Sequence, residues 1–467
     1  MFLSLLAGIW LGYVILAGWN PLFGTFDTLD GLVKVFSDSA YQTQIIIFTL
    51  VVGGLIALVQ RSGGVQGFVV RILSFLEKET GKAAQKNQRK KVEILAFLTG
   101  MVLFIESNIS ILTVGTLYRP IFDKLQIPRE KLAYITDSSS APSCILLPLN
   151  AWGAFLIAEM ASHGVTGGFP ALFQALAYNF YPMLVIIIML NVILSGRDIG
   201  EMRQAEIRAR ETGKLLRDGA TPMVSDEAVN MPVIEGAQPK ARNMIIPIFM
   251  LVALVPSFLI MTGWEAGQGN FLLAMREGSG GTAILYASSF ACMIAALLYK
   301  VTGTMRIRDS FDTFMKGMAS MLPLAILMVL AFAIGDICGE DFLGTGNYVA
   351  ATTREFISPA LVPAMIFIIS CFIAFSTGTS WGTFAIMLAI AIPLANSLDT
   401  NMSLAIAAVL GGGIFGDHCS PTSDTSVISS MASASDHIDH IRTQLPYALI
   451  GGGITVILYL ILGIAGV

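Results

Sequence analysis

Four acidic residues lie inside strongly apolar stretches of this 467-residue sequence: Glu106, Asp137, Asp417 and Asp424. A charged side chain at the centre of a bilayer costs about 2.5–3.5 kcal/mol, so such residues are usually functional. No Lys or Arg lies in the same stretches to pair with them. Carboxylates beside hydroxyl and carbonyl oxygens suit a small hard cation, and a poorly solvated carboxylate also accepts a proton. The residue types therefore predict a site that binds either Na⁺ or H⁺.

Small polar residues surround these carboxylates in four short segments. The segments are ESN at 106–108, DSSSAP at 137–142, STGTSWGT at 376–383 and GDHCSPTSD at 416–424. Polar backbone at membrane depth is tolerated only where it is buried in protein or lines a watery cavity. We therefore expect the four segments to meet in one ion-binding region. Its candidate residues are Glu106, Ser107, Asn108, Asp137, Ser138, Ser139, Ser140, Thr377, Gly378, Thr379, Ser380, Asp417, His418, Cys419, Ser420 and Asp424.

Within this set we assign separate roles to the two ions. Na⁺ is assigned to Asp417, Asp424 and Thr379, where a carboxylate and a hydroxyl oxygen are available. The proton is assigned to Glu106, the only acidic residue of an otherwise apolar hairpin tip. Two structural alternatives stay open, because Ser and Thr also join helices and because Asp137 and Asp424 are residue types that cap helix ends.

The other reactive residue types give weaker signals. His418 is a candidate pH sensor, or else a neutral imidazole bonded to a helix end. His437 and His440 lie in SDHIDHIRTQ, whose spacing we interpret as a solvated helix cap rather than a metal site. The five cysteines have no framework spacing, so no disulfide is expected. Apart from the coupling ions, no cofactor is expected.

The elements that must position these residues are membrane-spanning helices. Apolar residues make up 55% of the chain, charged residues only 13%, and the mean hydropathy is +0.73. Hydropathy predicts nine crossings and two re-entrant hairpins, at 92–118 and 357–394. The predicted crossings are 2–19, 42–60, 132–160, 170–195, 244–262, 281–299, 317–338, 403–431 and 445–465.

The Lys and Arg residues are strongly biased to one side of this layout. Of the 28, all but Lys34, Arg276 and Arg354 lie in loops on the same face. Cationic loops remain in the cytoplasm, so the amino terminus is predicted to be cytoplasmic. The two hairpins then enter from opposite faces, which predicts an inverted repeat of the kind that secondary transporters use.

The predicted fold is an all-α polytopic membrane protein with two inverted-topology repeats, each containing a re-entrant hairpin and a broken transmembrane helix. Pro142 and Pro421 are the expected break points, because proline lacks a backbone donor and clashes with the preceding turn. The divisions are a first repeat at 1–195 with its broken helix at 132–160, a cytoplasmic linker at 196–243, a connecting transmembrane helix at 244–262, and a second repeat at 263–467 with its broken helix at 403–431.

Several of these segments resemble the NhaC-type Na⁺/H⁺ antiporters of the ion transporter superfamily. The resemblance is closest over IFGDHCSPTSDTSVISSMAS at 414–433 and DHIDHIRTQLPYA at 436–448. It continues through residues 112–155 and through TGTSWGTFAIML at 377–388. It implies two inverted repeats with re-entrant hairpins, secondary active transport, and sodium as a coupling or transported ion.

The resemblance also implies where the ions bind. It places the binding region at Asp137–Pro142, Thr377–Ser380 and Asp417–Asp424. One departure concerns the first hairpin, where this chain has Ile105-Glu106-Ser107-Asn108. The family pattern leads us to expect two adjacent acidic residues before that asparagine, so the loss of one carboxylate bears on the proton stoichiometry.

We therefore predict a secondary active transporter of the bacterial cytoplasmic (inner) membrane that exchanges Na⁺ for H⁺ by alternating access. The alternative is a sodium-coupled carrier of a small organic solute, such as an amino acid or a dicarboxylate, because hydroxyls and helix amino termini can hold a carboxylate without Arg. An intramembrane enzyme is not expected, since no HExxH or GxSxG motif lies within a span. The expected partners are Na⁺, H⁺ and membrane lipid, with an organic solute or a homodimer as options and no nucleic acid.

Overall fold

The computed structural model of this chain consists of helices joined by turns and loops. It describes residues 2–466 except 39, 78–84, 105, 166–167, 223–232, 235–236, 340–341, 346–347, 349–350 and 353–357. Ile105 of the first hairpin and residue 357 of the second therefore lie outside the described residues. Within the described part, extended pairing is limited to an isolated bridge between Pro222 and Asp436.

The first half of the chain forms helices α1 to α11. Their bounds are α1 Phe2–Leu16, α2 Pro21–Ser37, α3 Ala40–Arg61, α4 Gly64–Glu77, α5 Gln85–Val102, α6 Ser107–Lys124, α7 Arg129–Leu146, α8 Ala151–Ser162, α9 Gly168–Leu176, α10 Phe180–Ser195 and α11 Gly200–Thr212. Among the described residues of the predicted linker at 196–243, α11 is a helix and α12 begins at Arg242.

The second half forms helices α12 to α21. Their bounds are α12 Arg242–Gly263, α13 Phe271–Glu277, α14 Gly280–Val301, α15 Ile307–Ser320, α16 Leu322–Cys338, α17 Val362–Thr377, α18 Ser380–Ser397, α19 Met402–Cys419, α20 Asp424–Ser433 and α21 His437–Ala465. A single 3-10 turn, Pro359–Leu361, precedes α17.

Eight helical stretches of the described chain are long and apolar enough to cross a membrane. This confirms an all-α, multi-pass membrane protein. Two predicted crossings are wrong as single helices, since 170–195 is split into α9 and α10 and 317–338 is divided at Met321. The crossing predicted at 2–19 is a single helix, α1, but has only 15 residues. Hydropathy averages over short interruptions, so it does not detect a turn of one to three residues between apolar helices.

The two helices of the second predicted hairpin are longer than the arms of a short re-entrant loop. Its arms are α17 and α18, and the stretches Pro359–Thr377 and Ser380–Ser397 are each long enough to cross a membrane. Two full crossings and one re-entrant hairpin both return the chain to the side from which it entered. The side assigned to the following helix, α19, is therefore the same in either case.

The first broken helix is interrupted at a different place from the one predicted. Pro142 lies inside α7, and the interruption falls at residues 147–150, between α7 and α8. Proline is tolerated within a membrane helix when nearby Ser and Thr hydroxyls and neighbouring helices satisfy the backbone. In α7, Ser139 donates to the Thr136 carbonyl and Ser140 to the Asp137 carbonyl, so the helix continues past the serine run.

The second broken helix is interrupted by residues 420–423, which include Pro421. Helix α19 ends at Cys419 and α20 begins at Asp424. Small residues let α19 pack closely against α17, because a Cβ on Gly412 would lie only 2.7 Å from the Phe367 carbonyl oxygen. This packing brings the end of α19 to the turn between α17 and α18.

The basic end of α7 is held by a buried group of charges. The Lys131 ammonium lies 2.9 Å from Asp198 and 3.2 Å from Glu206, and Glu93 is 3.6 Å away. Only 2% of the Lys131 side chain is exposed. A buried charge needs this degree of compensation, because removal of one partner from such a group is strongly destabilising. The group ties α5, α7 and the start of the linker together.

Candidate functional site

The turn between α17 and α18 meets the end of α19 at Asp417. The Ser380 hydroxyl donates a hydrogen bond to Asp417 Oδ2, and both residues are 1% exposed. Gly378 closes α17 with φ +68°, a left-handed conformation that glycine adopts without strain. A Cβ at this position would also meet the Thr422 carbonyl, so glycine is needed for the turn to reach the second break.

Asp137 lies in the middle of α7 and is completely buried. Its Oδ2 accepts hydrogen bonds from Gln444 Nε2 at 2.7 Å and from the Ser426 hydroxyl at 3.1 Å. His440 Nε2 is 3.3 Å from the same oxygen. Asp137 therefore does not cap a helix end; instead it joins α7 to α20 and α21.

The same partners connect Asp137 to the end of α19. The Ser426 hydroxyl lies 3.0 Å from the Asp417 carbonyl oxygen, and Gln444 Nε2 lies 2.9 Å from the His418 carbonyl oxygen. Asp417 also interacts electrostatically with Asp137. The two buried carboxylates thus belong to one polar group at the second helix break.

His418 occupies the apolar side of this group. Its Nδ1 is 3.0 Å from the Tyr181 hydroxyl, and the residue is 1% exposed. A cavity of about 10 Å³ lies beside it, lined by Tyr134, Ser138 and Gln444 among others. A space of this size is close to the minimum that holds one water molecule.

Several buried polar atoms of this group make no hydrogen bond within the described residues. They are Asp137 Oδ1, Asp417 Oδ1, His418 Nε2, Ser429 Oγ, His440 Nδ1 and Gln444 Oε1. Buried polar atoms in folded proteins are nearly always paired with protein or water. Their concentration here indicates that the site is built to bind something else, such as water, a proton or a cation.

The donor set limits what kind of cation fits. Within the described residues, no group of three or more His, Cys, Asp or Glu side chains is arranged to hold a metal ion. A transition-metal site is therefore not supported in this part of the chain. An alkali cation here would use one carboxylate together with hydroxyl and main-chain oxygens, which hard cations accept.

The residues predicted to complete the sodium site lie at its edge. Thr379 is 6% exposed and occupies the cap position of α18, without a side-chain bond to the helix. Asp424 is exposed at the start of α20, where its Oδ1 accepts from the Thr425 backbone amide. Thr377 is also exposed, and its hydroxyl donates to the Ile373 carbonyl. Of these three residues, Thr379 is the one that is buried beside Ser380.

The two residues after His418 have structural contacts. Cys419 is buried at the last position of α19. The Ser420 hydroxyl donates to the Phe375 carbonyl oxygen at 2.7 Å, which attaches the second break to α17. The serine run of α7 is similarly occupied by its own helix, since Ser139 and Ser140 bond main-chain carbonyls. The helix-joining alternative therefore describes the contact of Ser420, whereas Ser139 and Ser140 bond within their own helix.

Glu106 is separate from the Asp137 and Asp417 group. It is 8% exposed and lines a small apolar cavity of about 40 Å³ with Leu55, Val59 and Met244. Its closest described polar contact is the Ser107 hydroxyl, at 3.4 Å. The first hairpin also contains Asn108, whose side-chain oxygen is buried without a hydrogen bond in the described structure.

The interpretation of residues 436–440 as a solvated cap is wrong. Asp436 does cap α21, but it is only 8% exposed and also accepts hydrogen bonds from the Thr221 backbone amide and hydroxyl. Asp439 is paired with Arg217 at 3.1 Å, and His440 is completely buried. The linker folds back over this end of α21, which a local pattern of Asp and His cannot reveal.

Three residues of the site were not predicted: Ser426, His440 and Gln444. His440 and Gln444 are four residues apart on α21, so they lie on the same helix face and both reach Asp137. This spacing was visible in the sequence. The sequence could not show that both residues contact Asp137, because Asp137 lies about 300 residues earlier in the chain.

The helical bundle with its buried carboxylates and interrupted helices defines a membrane transporter. The chain belongs to the Na⁺/H⁺ antiporter family, which its residues 156–464 match. An uncharacterized protein of Haemophilus influenzae is 31% identical over 98% of this chain and 86% of that protein. The malate-2H⁺/Na⁺-lactate antiporter of Bacillus subtilis is 29% identical over 37% of each chain.

A solved structure shares the fold. The YdaH transporter of Alcanivorax borkumensis superposes with a TM-score of 0.58 and covers 94% of this chain and 88% of its own. The sequence identity is 15%, so this likeness concerns the fold alone. The family match places the protein among membrane transporters.

Proposed function

We propose that this protein exchanges Na⁺ for H⁺ across the membrane. The observation that carries the proposal is the pair of buried carboxylates, Asp137 and Asp417, which have one unbonded oxygen each in the described structure. Ser426 links the two residues, because its hydroxyl contacts the Asp137 carboxylate and the main-chain carbonyl of Asp417. In the described residues, no Lys or Arg forms an ion pair with either carboxylate. Such a site is neutralised either by a cation or by a proton, and this competition is the basis of exchange.

In this proposal Na⁺ binds at Asp417, with Ser380 and Thr379 at the turn between α17 and α18. Ser380 already contacts the carboxylate, and a rotation of its hydroxyl would present the oxygen to a cation. Asp424, the other predicted sodium ligand, is the first residue of α20 after the break. It interacts electrostatically with Asp417. Glu106 remains the proposed proton carrier, acting from the first hairpin rather than from within the Asp417 group.

A direct test is sodium-driven proton movement in proteoliposomes. An outward Na⁺ gradient should acidify the lumen, because H⁺ enters as Na⁺ leaves, and a trapped pH dye reports this with no organic solute present. Asp417→Asn should abolish the signal, whereas Asp218→Asn, on the exposed linker, should retain it. A wild-type protein that binds Na⁺ but moves no protons would refute the exchange.

We also propose alternating access through two inverted repeats, with the amino terminus in the cytoplasm of a bacterial inner membrane. Its support is the one-sided distribution of Lys and Arg. In a cysteine-free background, a cysteine at Ser107 should be labelled from the cytoplasm and one at Thr379 from outside, each in one conformational state. Labelling of both positions from the same face contradicts the inverted repeat.

The second candidate is a sodium-coupled carrier of a small organic solute. It is favoured by the name of the Bacillus subtilis relative, which pairs malate with lactate and couples them to H⁺ and Na⁺. Substrate-dependent Na⁺ uptake without a pH gradient, tested with L-malate, L-lactate and amino acids, separates the two functions. Exchange predicts no dependence on any of these solutes.

A further inference from the structure

A second polar site lies at the opposite end of the bundle from Lys131. Here a cavity of about 760 Å³ is formed by the ends of α8, α16 and α18 together with α2. Since α7 starts beside Lys131 and α8 continues from it, the chain crosses the bundle before it reaches this cavity. The distribution of Lys and Arg assigns this end to the outside. The polar residues of its wall include Lys34, Asp38, Gln42, His163, Asp336 and Asn396.

A buried carboxylate lies directly behind this wall. Glu159 is 0% exposed, and its Oε1 is 3.3 Å from Nε2 of His163, which lines the cavity. The other oxygen, Oε2, has no hydrogen-bond partner within the described residues. A fully buried carboxylate with one free oxygen is costly unless a proton, water or cation reaches it.

The wall of the cavity is shaped around this carboxylate. Gly335 lines the cavity on α16, and a Cβ there would lie 2.9 Å from Glu159 Oε1 and 3.4 Å from His163 Nε2. The contact with Glu159 is shorter than Cβ atoms normally make, whereas the contact with His163 is close to van der Waals distance. Glycine therefore lets α16 pack against the Glu159–His163 pair, so that the pair is separated from the cavity by little more than the imidazole.

The surrounding charges favour a proton over a larger solute at the pair. The 5% exposure of the His163 side chain leaves no opening wide enough for a solute to reach Glu159. Asp336 interacts electrostatically with Glu159, and the adjoining helices α9 and α18 contribute no charged side chain. Asp336 and Cys338 of α16 interact electrostatically with Glu159, and Asp336 also interacts with His163. Other titratable or charged residues that line the cavity are Tyr13 of α1, Lys34 of α2, and Asp38.

We propose that Glu159 is a proton-binding site that exchanges with the outer cavity through His163. A hydronium ion in the cavity gives a proton to His163 Nδ1 and is left as water, and the Nε2 proton moves to Glu159 Oε1. The imidazole is left neutral in its other tautomer, Glu159 becomes a neutral acid, and the reverse transfer restores both groups. Glu and His side chains serve as such relays in membrane proteins.

The position of Glu159 connects this relay to the first hairpin. Asn150, which precedes α8, donates to the carbonyl of Phe104, two residues before Glu106. Glu159 follows Asn150 by nine residues, or about 13 Å along the helix axis. The onward transfer of the proton from Glu159 rests on the proposed Na⁺/H⁺ exchange. The binding of the proton at Glu159 does not.

The test is infrared difference spectroscopy of the protein in nanodiscs between alkaline and acidic buffer. Protonation of Glu159 should give a carboxylic-acid carbonyl band that Glu159→Gln loses. Glu211→Gln is the control, because Glu211 is exposed on α11 and its loss should leave the buried-acid band intact. An unchanged spectrum in Glu159→Gln overturns the proposal.

A second variant tests the relay and covers the case in which Glu159→Gln does not fold. His163→Phe keeps a planar ring but has no nitrogen to carry a proton. The band should therefore keep its amplitude, but its rate of appearance after a pH step should fall by about tenfold or more. An equal rate in His163→Phe and wild type contradicts the relay. If sodium-driven proton movement fails while these spectral changes occur, the proposed exchange is wrong but the proton site stands.

Discussion

The two helix breaks have similar shapes but different chemistry. At the first break, the Asn150 amide donates to the carbonyls of Phe104, Cys144 and Leu147, and its oxygen accepts from the backbone amides of residues 152 and 153. At the second, Asp417 retains an unbonded oxygen beside the Ser380 hydroxyl. The Asn150 side chain thus supplies hydrogen-bond partners for the backbone groups at the first break. At the second break, one carboxylate oxygen of Asp417 is still available to a ligand.

This difference predicts a structural role for the first break and an ion-binding role for the second. A broken helix exposes carbonyl and amide groups that must find partners at membrane depth. Asn150 supplies both donors and an acceptor, so the first break needs no ligand. A carboxylate supplies only acceptors and a negative charge, so the second break is complete only with a proton or cation. Ion binding is therefore expected to depend on the second break far more than on the first.

The largest expected effect comes from Asp417→Asn. The amide keeps the size of the side chain but removes the charge that a poorly hydrated Na⁺ needs, so sodium-induced thermal stabilisation should disappear. The folded state should remain, because an amide can still accept from Ser380. Melting curves with and without NaCl, at constant ionic strength with choline chloride, measure this. Normal sodium stabilisation in the variant would show that the Asp417 carboxylate is structural.

The next effect concerns the proton. Glu106→Gln mimics the protonated state of the predicted proton carrier, so it should retain sodium stabilisation and flatten its dependence on pH. Asp137→Asn is the matched comparison, because Asp137 lies in the Asp417 group and Glu106 does not. If Glu106→Gln keeps the wild-type pH dependence and Asp137→Asn loses it, the proton carrier is Asp137.

Asn150→Ala tests the first break directly. The substitution removes a helix cap, worth about 0.5–2 kcal/mol. It also removes the Asn150 donor from the Phe104, Cys144 and Leu147 carbonyls, of which Leu147 keeps the Leu149 backbone amide. The melting temperature should fall, while the change in melting temperature caused by Na⁺ should match that of wild type. A loss of sodium response in a folded Asn150→Ala protein would contradict the separation between the two breaks.

The smallest effect is expected for Asp436→Asn. One oxygen keeps the cap of α21, but the new amide nitrogen faces the Thr221 backbone amide, which loses its acceptor. Stability should fall by about 1 kcal/mol with no change in the sodium response. Thr221→Val is the control, because it removes only the hydroxyl contact. A loss of the sodium-induced change in melting temperature in Asp436→Asn would contradict this and would show that the linker affects the ion site.

The composition and hydropathy of the sequence were sufficient for the helical class and for most of the apolar spans. Pro421 is a local helix-breaking signal, and the structure interrupts the helix there, at residues 420–423. The serine run at 138–140 gave a misleading signal. Its hydroxyls can bond carbonyls one turn earlier in the same helix, so a Ser-rich segment with proline remains helical when it is buried.

What the tertiary structure decided is which polar residues share a site. Asp137 meets His440 and Gln444 across about 300 residues of chain, and Glu106 faces an apolar cavity instead of Asp417. Periodicity reports the face of a helix on which a residue lies, but not the helix that packs against that face. Burial then determines the outcome, because a buried carboxylate must be matched by whichever donors the packing brings to it. The sequence alone determined that acids lie within the membrane; the packing of α7, α19, α20 and α21 decided that two of them form one site.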